Sequence, residues 1–215
     1  MNSLSDRNPV LLIHGIWDTN AIFNPMTAYL SQRGFHVYSL DLTPNNGSLG
    51  LDLLAVQLAK FIDNSFDPEQ PLDLIGFSMG GLVSRYYVQR LGGINRVQRF
   101  ITLSSPHSGT LTAYSLWLPG YVQMRPGSSF IRDLNQDAAM LQDINFTSIW
   151  TPYDAMIVPA NSSQMPIGRQ VKQNILLHQL MVTDPKILPT VVAELEAPIE
   201  KLRNKNLVGE IISQK

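Results

Sequence analysis

The chain has 215 residues, a length that favours one domain with a sizeable core. Sixteen Lys and Arg against seventeen Asp and Glu leave a formal net charge of -1, which gives no electrostatic basis for nucleic-acid binding. Cysteine is absent, which excludes disulfides, thiolate metal sites and a thiol nucleophile. Only 15% of the residues are charged, against roughly 25% in an average soluble protein, so we expect a neutral-polar or partly apolar surface.

Six short apolar segments are typical of β-strands. The first, Val10–Ile13, is apolar at every position, so we expect it to be buried on both faces inside a parallel sheet. The other strand candidates are residues 35–41, 72–77, 97–103, 144–150 and 170–176.

Apolar residues at spacings of three and four predict helices between these strands, around residues 51–62, 83–91 and 188–195. The last helix is expected to kink or begin at Pro189, because an internal proline removes a hydrogen bond. Strands that alternate with helices imply an α/β fold with about six mostly parallel strands and right-handed crossovers.

Residues 108–130 fit neither period and carry several apolar and aromatic side chains with no obvious strand or helix to join, Met124 among them. Arg125 is the only charged residue in this segment, which we interpret as a short apolar excursion. It is either a lid-like lipid contact or a loop packed shut over the sheet. Residues 1–215 are expected to form one domain, with 199–215 as a peripheral tail.

The sequence GFSMGG at residues 76–81 follows a predicted strand and precedes a predicted helix. Gly-x-Ser-x-Gly in this position is the pattern of a nucleophile elbow. The sharp reversal forces the residue at its apex into a strained, positive-φ conformation, and the glycines let strand and helix approach. The helix N-terminus favours the negative charge that develops there, so Ser78 is the predicted nucleophile. The alternative is an ordinary glycine-rich turn.

A nucleophile elbow is accompanied by a catalytic triad whose residues follow the chain order Ser, Asp or Glu, His. This order allows the catalytic histidine to be predicted by elimination. His107 and His178 are the only histidines after Ser78, and no acidic residue lies between Ser78 and His107. His178 is therefore the predicted base. His107 and His36 are expected to be structural or surface residues.

Four aspartates lie between Ser78 and His178. Asp154 follows the predicted strand 144–150 in a loop, where open α/β sheets place functional residues, so it is the preferred acid. The others precede that strand and are expected to lie on a solvated face, with the first as the fallback acid: Asp133, Asp137 and Asp143.

His14 and Gly15 follow the first strand, where hydrolases of this type use a His-Gly loop to supply an amide to the oxyanion hole. The predicted oxyanion donors are the backbone N–H groups of Ile16 and Met79. The His14 ring is expected to hydrogen-bond the backbone and support the loop. Trp17 either lines the acyl pocket or packs in the core.

Three motifs now carry a family resemblance: LIHGI at residues 12–16, GFSMGGLVSRYY at 76–87 and DAMIVP at 154–159. They resemble the small lipases of the α/β-hydrolase superfamily, both compact bacterial triacylglycerol lipases and inositol-deacylase-like lipases. The resemblance runs from about residue 10 to residue 197 and implies a compact α/β-hydrolase fold with helices on both sheet faces. It also implies nucleophile Ser78, acid Asp154 and base His178. The smallest relatives have little or no lid, so the 108–130 excursion departs from them.

These features predict a serine acyl hydrolase that cleaves carboxylic esters of lipids through an acyl-enzyme, with no metal or cofactor. Trp17, Leu111 and Trp117 are the predicted substrate-pocket residues. The alternatives are a thioesterase, a short-chain carboxylesterase, an acyltransferase, or a non-catalytic ligand-binding protein. No apolar run reaches the ~18–20 residues of a membrane span. We therefore expect a cytoplasmic monomer without nucleic-acid partners, with peripheral contact to membranes or lipid droplets as an extension of this expectation.

Overall fold

The computed structural model describes residues 7–199, which form a six-stranded, wholly parallel sheet with helices on both faces. The sheet order is β2-β1-β3-β4-β5-β6, and this confirms the predicted α/β architecture. The strands are β1 Val10–Ile13, β2 Val37–Leu40, β3 Leu72–Phe77, β4 Val97–Leu103, β5 Asn145–Trp150 and β6 Arg169–Lys172.

Two apolar clusters, one on each face of the sheet, form the core. The first includes α2, α3, α4 and α5, and the second includes α1, α6 and α7. The sequence did not predict α1, because only two of its eight side chains are buried apolar ones. The helices are α1 Asn24–Ser31, α2 Leu51–Ser65, α3 Met79–Arg90, α4 Pro119–Met124, α5 Ser129–Gln136, α6 Leu180–Thr183 and α7 Leu188–Glu196.

The position of each strand in the sheet explains its burial and length. All four residues of β1 are fully buried between β2 and β3, as its apolar sequence predicts. The edge strand β6 ends at Lys172, so the predicted strand over residues 170–176 is wrong at its end. Lys172 pairs with Trp150, the last residue of β5, and β5 offers no further partner beyond it. The residues before His178 therefore form a loop.

The excursion at residues 108–130 is folded onto the body of the protein. Met124 and Phe130 are buried in the first core cluster, so the expectation that Met124 has no core to join is wrong. Arg125 is also buried, and its Nη2 donates to the Leu116 carbonyl oxygen at 3.0 Å. Its guanidinium carbon lies 4.0 Å from the centre of the Trp117 ring, which is 83% exposed. The excursion is thus held by a buried arginine.

Within residues 7–199, none of the helices is both long and apolar enough to cross a membrane. The predicted peripheral tail lies outside the described residues from position 200 onward.

Candidate active site

Ser78 lies at the apex between β3 and α3, with φ 53° and ψ -124°. This strained conformation is the one predicted from the Gly-x-Ser-x-Gly pattern. A methyl group on Gly76 would lie 2.5 Å from Gly81 Cα, and one on Gly80 would collide with the Ile13 carbonyl oxygen. The glycines therefore allow α3 to start directly against the sheet, which holds Ser78 at the helix N-terminus.

Asp154 and His178 lie in direct contact, each on a loop at the carboxyl edge of the sheet. His178 Nδ1 is 2.7 Å from Asp154 Oδ2, and both residues are buried. The second carboxylate oxygen, Oδ1, accepts hydrogen bonds from the amides of Met156 and Ile157, both at 2.9 Å. The histidine is thus oriented through Nδ1, which leaves Nε2 available to act as a base.

Several effects act together on the charge of the Asp154 carboxylate. Burial of the group opposes ionisation, but the hydrogen bond and charge of His178 and the amides of Ile157 and Met156 outweigh it. The pKa of Asp154 consequently lies below its ordinary value, so the group is an anion at neutral pH. An ionised, fixed carboxylate of this kind stabilises the imidazolium that forms when a histidine accepts a proton.

Phe77 joins the histidine to the elbow. Its ring centre lies 4.7 Å from that of His178, and Phe77 immediately precedes Ser78. Among the described residues, the Ser78 side chain forms no hydrogen bond. The structure therefore brings the three residues to one site, with Asp154 and His178 already bonded. Catalysis by this serine and histidine would require Ser78 Oγ and His178 Nε2 to reach hydrogen-bond distance in a substrate complex.

The His-Gly loop after β1 is held by the His14 ring. The Leu42 amide donates to His14 Nε2 at 2.9 Å, so the proton of a neutral ring lies on Nδ1. Nδ1 lies 2.8 Å from the Gly15 carbonyl oxygen and donates to it. Both ring nitrogens are thereby used in structure, and this agrees with the expected supporting role of His14.

The backbone amides at the site fall into two groups. Trp17 N donates to the Asn45 carbonyl oxygen at 2.8 Å, so it is occupied. The amides of Ile16 and Met79 donate to no backbone acceptor in the described part of the chain. Met79 is the first residue of α3, and amides of a first turn have no partner inside their helix. Both amides are therefore available for an oxyanion.

Asp133, the fallback acid, and Asp137 both bind Arg90 and not a histidine. Arg90 Nε binds Asp133 Oδ2 at 2.9 Å, and Arg90 Nη1 binds Asp137 Oδ2 at 2.7 Å. The side chains of Asp133 and Asp137 are 48% and 41% exposed, so both lie on a partly solvated face, where they also bind Arg90 of α3. Asp143 is exposed.

The remaining histidines have structural or surface positions, as expected. His36 is exposed, whereas His107 is fully buried with its Nε2 3.0 Å from Thr102 Oγ1. Burial, helped by the charge of the nearby Arg85, holds the pKa of His107 well below its ordinary value. His107 is therefore a neutral core residue.

The predicted substrate-pocket residues are all exposed. Trp17 is 61%, Leu111 is 54% and Trp117 is 83% exposed. Trp17 Nε1 donates a hydrogen bond to the Tyr121 hydroxyl at 2.8 Å, so the oxyanion loop contacts the excursion. Trp17 therefore does not pack in the core, which was one of the two interpretations of its position.

Asp18, which no sequence motif indicated, lies beside the site. Its Oδ2 is 3.0 Å from the position that a methyl group on Gly15 would occupy, and Ser78 Cβ is 3.0 Å from the same point. The only sequence signal was its place three residues after Gly15, at the end of the His-Gly loop.

Comparison with known proteins identifies the family. Residues 9–135 match the profile of the palmitoyl protein thioesterases. The chain belongs to the palmitoyl protein thioesterase family. The match covers the oxyanion loop and the Ser78 elbow. Asp154 and His178 lie beyond it, and their mutual contact makes them the candidate acid and base. The predicted resemblance to lipase-like α/β-hydrolases is confirmed by this family and by the fold comparisons.

Further comparisons give one similar sequence and two similar structures. Palmitoyl-protein thioesterase 3 of Dictyostelium discoideum is 25% identical over 111 residues, which cover 49% of this chain and 38% of that protein. The chain thus spans well under half the length of this relative. The mature lipase of Bacillus licheniformis has a TM-score of 0.71 at 15% identity, covering 88% of this chain and 92% of that one. Lipase B of Aspergillus fumigatus has a TM-score of 0.72 at 19% identity, covering 95% of this chain and 56% of that one.

Proposed function

We propose that this protein of the palmitoyl protein thioesterase family is a serine hydrolase that cleaves acyl esters of lipids. The observation that carries the proposal is the buried His178–Asp154 pair beside a strained serine elbow. A positive φ at a non-glycine residue costs free energy, and natural proteins retain such strained residues mainly at functional sites. Ser78 has a positive φ of 53°.

The proposed reaction uses three side chains and two amides. Ser78 Oγ attacks the carbonyl carbon while His178 Nε2 accepts its proton, and Asp154 stabilises the resulting imidazolium. The amides of Ile16 and Met79 bind the oxyanion. The imidazolium then protonates the departing alcohol or thiol, which leaves an acyl-enzyme. Water attacks this ester with the same histidine as base, and the acid leaves as Ser78 regains its proton.

A lipid substrate is supported by the apolar side chains around the site. They belong to loops after β1, β4, β5 and β6, at the edge of the sheet that carries Ser78. Aromatic side chains with one polar end are suited to a boundary between water and lipid. The exposed apolar and aromatic side chains on these loops are Trp17, Leu111, Tyr114, Leu116, Trp117, Tyr153, Met156, Leu176 and Leu177. We call this set the apolar rim.

A thioester is the second candidate substrate, and the family match favours it. The same nucleophile, base and oxyanion amides would serve an S-acyl group, since only the leaving atom changes. Acyl chains of palmitoyl length would suit the apolar rim equally well as esters or as thioesters.

A paired substrate panel tests the proposal and separates the two candidates. Wild-type protein would be assayed with p-nitrophenyl acetate, butyrate and palmitate, with an emulsified triglyceride, and with palmitoyl-coenzyme A by thiol release. Hydrolysis of the long-chain oxygen esters supports the lipid esterase, whereas at least tenfold higher kcat/KM for the thioester supports the thioesterase. Optimal activity at two to four carbons would contradict both. No turnover of any ester would refute the proposal.

A further inference from the structure

A second carboxylate, that of Asp18, lies at the reacting centre and has no role in the reaction described above. Asp18 Oδ2 and Ser78 Cβ lie against the same face of Gly15, each 3.0 Å from the point where a methyl group on that glycine would be. Phe77 Cδ1 lies 3.3 Å from the same point, so the carboxylate and the nucleophile both border Gly15 next to the Phe77 ring.

The surroundings of Asp18 leave its charge largely uncompensated. Its main chain is fixed, because its amide donates to Gly15 O and its carbonyl accepts from Asn45 Nδ2 at 2.7 Å. In residues 7–199, however, its carboxylate accepts no hydrogen bond and forms no ion pair. Burial raises the pKa of this carboxyl, and the nearby rings of His14 and His178 oppose that effect only in part.

The other ionisable groups near Asp18 do not supply a permanent positive charge. His14 is used as a neutral ring by the Leu42 amide and Gly15 O, as shown above. His178 faces Asp154 on its other side, with its Nδ1 2.7 Å from Asp154 Oδ2. Asp41 lies 3.9 Å from His14 Nε2 and is itself an acid, with half of its side chain exposed.

We propose that Asp18 weakens the binding of carboxylates at Ser78 and thereby drives the acid product out of the site. This inference rests on the proposed acyl hydrolysis, because the product of that reaction is a carboxylate held beside the nucleophile. It assigns to Asp18 a role in substrate and product selection.

Charge balance explains why Asp18 would act on the product more than on the reaction. When the oxyanion forms, His178 has just accepted the Ser78 proton, so negative and positive charges appear together. Asp18 repels the first and attracts the second. After deacylation the acid gives its proton to solvent, His178 is neutral, and the carboxylate stands alone beside Asp18. Only the last state meets unbalanced repulsion.

Protection of Ser78 from a fluorophosphonate probe measures this effect without a turnover assay. Octanoate and octanamide differ in charge but little in shape, and each would be titrated against the labelling rate. In wild-type protein, octanamide should protect at a lower concentration than octanoate. Asp18→Asn should lower the half-protecting octanoate concentration roughly tenfold and leave that of octanamide unchanged.

Two further variants control the experiment. Asp41→Asn removes a carboxylate from the same edge of the sheet but not from Gly15, so it should behave as wild type. Asp18→Glu keeps the charge and should preserve the wild-type preference for the amide. This variant tests the charge even if Asp18→Asn fails to fold.

The outcomes separate this inference from the proposed function. If no fluorophosphonate labels wild-type Ser78, the proposed hydrolase is refuted, and the inference with it. If labelling occurs but Asp18→Asn changes protection by octanoate and octanamide equally, the hydrolase stands and the role of Asp18 is refuted. Equal protection by the two compounds in wild-type protein would refute it as well.

Discussion

The two carboxylate oxygens of Asp154 have different partners: Oδ2 lies 2.7 Å from His178 Nδ1, and Oδ1 accepts hydrogen bonds from two backbone amides. This arrangement fixes the carboxylate on a loop that contains no regular secondary structure around it. The amides come from Met156 and Ile157, so the loop folds around the acid that orients the histidine. Asp154 is therefore the hydrogen-bond partner that orients the imidazole, while the Phe77 ring packs against it.

Asp154→Asn should lower kcat about 10³- to 10⁴-fold with little change in KM, because an amide in this place favours the wrong imidazole tautomer. Steady-state kinetics on a soluble p-nitrophenyl ester measures the effect. Asp133→Asn is the matched control, since Asp133 binds Arg90 and not the histidine. A larger loss in Asp133→Asn than in Asp154→Asn would reverse the assignment of the acid.

The hydrogen bond from Trp17 to Tyr121 links the oxyanion loop to the excursion. Trp17 has φ 63°, a conformation that the surrounding contacts must maintain. We expect Tyr121→Phe to lower kcat by about threefold to tenfold, since a hydrogen bond of this kind contributes about 1 kcal/mol. KM should stay constant. Tyr114→Phe removes a hydroxyl from the same excursion without touching Trp17, and equal losses in both variants would disprove the link.

The closeness of Gly80 to β1 predicts a large loss of stability on substitution. Gly80→Ala would place a methyl group against the backbone carbonyls of Ile13 and His14, which cannot move aside. Urea denaturation should show a loss of more than about 4 kcal/mol in the free energy of unfolding. Gly92→Ala is the comparison, because its methyl group would meet open space and cost only the ~1–2 kcal/mol of its positive φ. Similar losses at both positions would contradict the packing argument.

The apolar rim predicts a preference for lipid interfaces. Replacing Trp117 of the rim and its half-buried neighbour Leu118 with Ser should lower activity on an emulsified ester several-fold more than activity on a soluble ester. The reason is that Trp117 is exposed and contributes apolar area outside the core. The ratio of the two activities is the measurement. An unchanged ratio would show that the excursion is only a structural cover.

Sequence reasoning predicted the strands well where they are buried, and less well at the edge. The bounds of β1 follow from an unbroken apolar run, those of β3 were predicted although Asp73 interrupts its apolar residues, and the elbow follows from its glycines. The end of β6 depends on the length of its neighbour β5, which the sequence of β6 does not contain. The sequence of α1 gave little helical signal, because only Met26 and Leu30 mark its buried side.

The candidate site was predicted in part. The Gly-x-Ser-x-Gly pattern led to Ser78, elimination by chain order led to His178, and placement after a strand led to Asp154. Asp18 was missed because its nearness to Ser78 depends on the turn at Gly15, and the ion pairs of Arg90 were missed because they join residues distant in sequence. Such contacts depend on tertiary packing.

Covalent labelling of Ser78 tests the central claim most directly. Wild-type protein would be incubated with a fluorophosphonate and analysed by peptide mass spectrometry, in parallel with ester hydrolysis. We expect the label on the peptide that contains Ser78, and we expect Ser78→Ala to lose both labelling and hydrolysis. Full activity in Ser78→Ala, or labelling at another serine, would contradict the account.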